Sequence, residues 1–136
     1  MDKESYVSFA VASKLKQKGF YWDCEHYYKP NGEMVRTLHT EGSRHINSSV
    51  LYEHQCLAPT QAMACRWLRE EHKIDVSVTP DDGSWWIRIT ELEYWSCVFN
   101  GKVLNSDDIK YAYQGDTSTK EGCYEAALDY VVSYLI

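Results

Sequence analysis

The stretch Ile74-Asp75-Val76-Ser77-Val78-Thr79-Pro80-Asp81-Asp82-Gly83-Ser84-Trp85-Trp86-Ile87-Arg88-Ile89 decides the fold of this chain. Ile74, Val76 and Val78 alternate with Asp75, Ser77 and Thr79. Successive strand side chains point to opposite faces, so this is a strand with one face buried. Pro80-Asp81-Asp82-Gly83 is turn chemistry, and Trp85, Ile87 and Ile89 resume the alternation beyond it. Upstream, Pro59 suits a first helical turn, where a missing N–H costs nothing. Met63, Ala64, Trp67 and Leu68 then recur at helical spacing as one apolar face. Helix, strand, turn and strand across residues 58–92 predict an α+β fold with an aromatic-rich sheet.

Working outward, the spacing predicts a first helix from Ser5 to Lys18 with Val7, Val11 and Leu15 inward. Gly19 ends it and Phe20 folds back on the last turn. A hairpin follows, Cys24–Lys29 and Met34–His39 around Pro30-Asn31-Gly32. Residues 40–49 read as a polar loop and Val50–Leu57 as a third strand. Past residue 92, Tyr94–Phe99 and Lys102–Leu104 flank Asn100-Gly101 as another hairpin, and Ile109–Tyr113 is a short strand. The C-terminal helix opens on a capping box of Ser118 and Glu121. Its inner face is Tyr124, Ala127, Leu128, Val131, Tyr134 and Leu135. The expected architecture is three helices packed on antiparallel sheet in one domain, ordered α-β-β-(β)-α-β-β-β-α. The expected core is Val11, Leu15, Met63, Trp67, Leu68, Val76, Val78, Ile87, Ile89, Leu128, Val131 and Leu135.

Fourteen basic residues against 20 acidic ones give a net charge of −6, which opposes a generic phosphate-binding role. Nucleic acid is therefore not an expected partner. Aromatic residues make up 14% of the chain, which suits a sheet half-covered by helices or a contact surface. The five cysteines include no CxxC pair, and the N-terminus has no basic region before an apolar core. Both features lead us to expect reduced thiols in a cytoplasm. No apolar run approaches the length of a membrane span.

Cys24-Glu25-His26 and His54-Gln55-Cys56 form the sharpest chemical pattern. Each pair has i, i+2 spacing, so Cys24, His26, His54 and Cys56 would form a Cys2His2 zinc site if the two strands were neighbours. The competing reading is side-chain packing on a Tyr-rich strand. Cys65, Cys97 and Cys123 are the candidate nucleophiles, and no flanking motif supports them. The chain contains no Gly-rich phosphate loop, GxSxG or HExxH. In the polar loop, Arg44 and His45 can bind an anion, while Trp22, Tyr27 or Trp86 can stack a ring. Such exposed aromatics also describe a protein–protein patch, the binding role we favour.

Tyr6-Val7-Ser8-Phe9, Leu15-Lys16-Gln17-Lys18-Gly19-Phe20, Ala58-Pro59-Thr60-Gln61-Ala62 with Trp67-Leu68-Arg69-Glu70, and Tyr124-Glu125-Ala126-Ala127-Leu128 together carry a resemblance. The chain resembles a group of small uncharacterised phage, prophage and mobile-element proteins of gut Bacteroidales bacteria. The resemblance covers almost the whole chain and departs from it at residues 40–49 and 93–108. The group carries over no activity or active site, and the first expectation is a non-enzymatic accessory protein of a phage or mobile element that acts in the bacterial host cytoplasm by binding a host protein or itself. A nucleotide-like small-molecule binder and a Cys/His zinc protein are the alternatives. The α-β-β-β-α order of residues 59–136 is also similar in topology to a double-stranded-RNA-binding domain. The basic helix start expected there is absent, since Lys120 stands among Glu121, Glu125 and Asp129.

Overall fold

The computed structural model describes residues 5–36, 55–91, 103–104 and 117–136. In chain order its elements are α1 (Phe9–Gln17), β1 (His26–Tyr28), β2 (Met34–Arg36), β3 (Cys56–Leu57), α2 (Gln61–His72), β4 (Ile74–Asp81), β5 (Ser84–Glu91), β6 (Val103–Leu104) and α3 (Lys120–Tyr130). A π-helical turn, Val131–Leu135, continues α3. This is the α+β order expected, with two antiparallel three-stranded sheets among the described residues. Chain contacts divide into two compact units, Met1–Thr60 and Gln61–Ile136.

In the first unit, α1 starts at Phe9 rather than Ser5 because Ser8 caps it, its hydroxyl accepting the Val11 N–H at 3.2 Å. Val11, Ala12 and Leu15 form its buried face. Val7 is buried too, but in the extended segment before the helix, where its N–H donates to the Pro59 carbonyl. That bond, with the Tyr6–Thr60 bridge, keeps Pro59 in extended chain, so α2 begins two residues later, at Gln61. Gly19 takes φ +90° and the Phe20 N–H reaches back to the Leu15 carbonyl at 3.0 Å. This is the Schellman ending expected. The sheet runs β2-β1-β3, with Tyr28 opposite both Met34 and Cys56. The buried Tyr28 hydroxyl donates to the Val7 carbonyl.

The second unit grows from the deciding stretch. Asp82 and Gly83 both take positive φ, 44° and 82°. That is a two-residue type I′ turn, whose twist matches the strands it joins. Pro80 and Asp81 therefore stay in β4, and the turn is shorter than the four residues read from sequence. The sheet order is β4-β5-β6. Helices α2 and α3 pack against β4 and against each other, and α3 also packs on β5. The apolar sides of both strands, Val76 and Val78 with Ile87 and Ile89, are buried. Trp67 and Leu68 of α2 and Leu128 and Val131 of the C-terminal helix complete this core, while Met63 and Leu135 are only half-buried. The Gln61 amide donates to the Glu121 carbonyl at 2.9 Å, tying one helix start to the other.

Two local expectations are corrected here. Thr119, not Ser118, caps α3, its hydroxyl accepting the Gly122 N–H at 3.0 Å. The cap lies one residue later, so Glu121 is out of register for a capping box. Tyr134 is 67% exposed rather than inward. The i→i+5 bonds of the π turn spend more residues per turn, which rotates Tyr134 off the stripe and makes Val132 the buried residue. The readings for residues 40–49, 50–54, 94–101 and 109–113 lie outside the described residues.

Candidate functional site

The type I′ turn settles the geometry of the open face of the second sheet. Residues flanking a two-residue turn exchange both backbone bonds, and every second pair then does the same. The exchanging pairs are Asp81–Ser84, Thr79–Trp86, Ser77–Arg88 and Asp75–Thr90. Side chains of directly paired residues share a face. Ser77 and Thr79 therefore lie beside Trp86 and Arg88 on the face opposite the buried valines and isoleucines. Trp86 is 51% exposed and Arg88 is exposed. An open cleft of about 370 Å³ is lined by Ser77, Thr79, Pro80, Trp86, Ile87 and Arg88. Trp86 and Arg88 are two residues apart on one strand, hence about 7 Å apart along it. The small hydroxyl side chains across from them leave the indole accessible. Among the described residues, no ion pair or hydrogen bond engages the Arg88 guanidinium. The pair can stack a flat or apolar group and hold an anion beside it.

Trp86 was singled out in the sequence, but Arg88 was not. Its signal was the i, i+2 spacing on β5, which appears only once Trp85, Ile87 and Ile89 are assigned to the covered face. The other ring-stacking candidates belong to the first unit. Trp22 is half-buried and tilted against Phe20, with ring centroids 6.4 Å apart. Tyr27 is half-buried, opposite Val35 and Leu57. Arg44 and His45 lie outside the described residues.

Of the zinc candidates, Cys24, His26 and Cys56 are described and His54 is not. The described residues contain no group of His, Cys, Asp and Glu placed to hold a metal. Cys24 is buried, donates to the Trp22 carbonyl at 3.4 Å, and is pushed up to about 12 by burial and, secondly, by Asp23. Burial also raises Cys56, outweighing Ser13 and Lys16, which lower it. Either thiol would have to give up its proton to ligate a metal. His26 stacks edge-on with Tyr6 at 4.7 Å, and its Nδ1 is buried with no partner among the described residues.

The nucleophile candidates are equally enclosed. Burial pushes Cys65 up to about 12, with Arg69 opposing and Asp75 adding to the effect. Cys123 is fully buried and donates to the Thr117 carbonyl at 3.2 Å, the local bond that accounts for it at the helix start. Cys97 lies outside the described residues. Nearby, burial and Cys65 raise the Tyr124 hydroxyl, a backbone hydrogen bond from Val78 lowers it, and Asp75 raises it again. Among the described residues, no helix is long and apolar enough to cross a membrane. No family model matches the chain, and neither does a curated protein or a solved structure.

Proposed function

We propose that this chain is a non-enzymatic accessory protein that binds another protein, or a second copy of itself, through the outer face of β4 and β5. The half-exposed Trp86 beside Arg88, whose guanidinium no described residue engages, carries this reading. Tryptophan and arginine are the residues most enriched among those that dominate interface energy. Covering roughly 100 Å² of exposed indole contributes about 2–3 kcal/mol. The cleft is walled by two adjacent strands, so a flat small molecule stacked on Trp86 keeps its other side in water. A protein surface closes both. The resemblance to phage and mobile-element proteins makes a host protein the expected partner and the bacterial cytoplasm the expected place.

The test compares proteins retained from host lysate by the tagged wild-type chain and by Trp86→Ala, Arg88→Glu and Tyr21→Ala. Tyr21 is 54% exposed but lies in the first unit, so it controls for loss of any exposed aromatic. A partner kept by wild type and Tyr21→Ala and lost by the other two supports the reading. Equal retention by Trp86→Ala sinks it. The spacing of ring and cation also suits a nucleotide-like ligand. That second reading requires a rise in melting temperature with nucleotide that Trp86→Ala abolishes.

A further inference from the structure

The outer face of β4 and β5 also selects the kind of segment it takes, which rests on the reading that this face binds a protein. Ser77 and Arg88 are directly paired, and the Cα atoms of such a bond-exchanging pair lie about 5.5 Å apart. The guanidinium and the small hydroxyl therefore stand side by side as donors for one anion. One bonded pair nearer the turn, Thr79 lies opposite Trp86, and Pro80 borders the same cleft. That end offers an indole, a methyl group and a pyrrolidine ring. The face thus has an anion end and an apolar end, separated by the rise of two strand residues, about 7 Å.

We infer that the partner presents an extended segment with an Asp or Glu carboxylate two residues from an apolar side chain, the carboxylate on Arg88 and Ser77 and the apolar group on Trp86. An extended segment lying along β5 projects residues i and i+2 to one side with the same rise, so both ends of the face are met at once. The face is too narrow in apolar surface for anything broader. Among the described residues Trp86 is its one large apolar side chain, set among Ser77, Thr79 and Arg88. A helix or a second sheet packs on a wide apolar surface instead. Charge selects the carboxylate. The second unit holds 13 acidic and 7 basic residues, so the whole net charge of −6 belongs to it. Arg88 is the charged residue among those described lining the cleft, and one guanidinium meets one carboxylate through two parallel bonds. A phosphate dianion meets more repulsion from the surrounding acid. The same excess disfavours a second copy of the chain as the occupant.

The experiment is an NMR titration of the isotope-labelled full chain with capped heptapeptides of Gly and Ser that carry Pro at the third position and Glu at the fifth. Proline presets an extended backbone and presents a flat apolar ring. The readout is the Trp86 indole N–H, with half-saturation expected on the order of 1 mM for one indole face and one ion pair. Replacing Glu with Gln in the peptide should weaken binding by about fivefold. Arg88→Gln, a change at an exposed position that leaves the fold intact, should weaken the Glu peptide equally and leave the Gln peptide unchanged. Moving Glu to the fourth position, which an extended segment turns to the opposite side, should have the same effect as removing it. Equal binding of the Glu and Gln peptides, or of the two spacings, overturns the inference, as does tighter binding of a phosphoserine peptide. So does a Trp86 shift that follows protein concentration without peptide, which makes a second copy the occupant. No shift with any peptide, while Trp86→Ala loses a lysate partner, overturns the inference and leaves the protein-binding face standing. No shift, with lysate retention indifferent to Trp86→Ala, removes both.

Discussion

Raising the pH should destabilise the second unit through one thiol. Cys65 lies on the buried face of α2, and its thiol is pushed from an ordinary 9.0 up to about 12, chiefly by burial. The folded chain therefore holds this proton more tightly than the unfolded one. Below pH 9 both states are protonated and the full stability is present. Above pH 9 only the unfolded state ionises, so stability falls by about 1.4 kcal/mol per pH unit until the folded thiol also titrates. The loss from this group is about 1.4 kcal/mol at pH 10 and approaches about 4 kcal/mol near pH 12. The assay is urea unfolding of wild type and Cys65→Ala at pH 8 and pH 10. Titrating groups away from Cys65, including Cys24 in the first unit, act on both proteins and cancel in the difference, whereas Tyr124, which Cys65 raises, does not cancel fully. Cys65→Ala should be the less stable at pH 8, because it loses a buried sulfur. The gap should move in the variant's favour by about 1.4 kcal/mol at pH 10. A gap that stays constant between the two pH values refutes the assignment of a raised thiol to Cys65.

Two further pairs of substitutions test the same unit. Trp67, 2% exposed, should cost about 3–5 kcal/mol when changed to Ala, read as a shift in the urea midpoint. Trp86→Ala on the open face should cost less than about 1 kcal/mol in the same assay. Thr119→Ala should cost about 1 kcal/mol through loss of the α3 cap. Ser118→Ala should stay within about 0.5 kcal/mol, and the reverse order would restore the cap to Ser118.

Much of the second unit was legible because its signals are local. Strict alternation over Ile74–Thr79 and Trp85–Ile89 names the strands and their apolar side, and Gly83 names the turn. The helical stripe around Trp67 and Leu68 needs only its own spacing. Boundaries were less legible, because neighbouring residues compete almost equally for the same role. Ser118 and Thr119 both carry a capping hydroxyl, and the backbone chose the later one. Pro59 fits a helix start in isolation, yet its carbonyl is claimed by Val7 from a distant part of the chain. Tyr134 fits an inward stripe at α-helical spacing, and a π turn carried it outward.

The candidate site divides in the same way. Trp86 could be named from composition and position, and its separation from Trp85 follows from a period of two. The pattern alone could show that β4 and β5 have two unlike sides, since period-two alternation is a property of the local chain. Tertiary structure decided the rest. The helices α2 and α3 cover the valine and isoleucine side, leaving Trp86 and Arg88 open. Register, edges and cover depend on which backbone donors remain after distant segments have paired, and no local window of sequence contains that information.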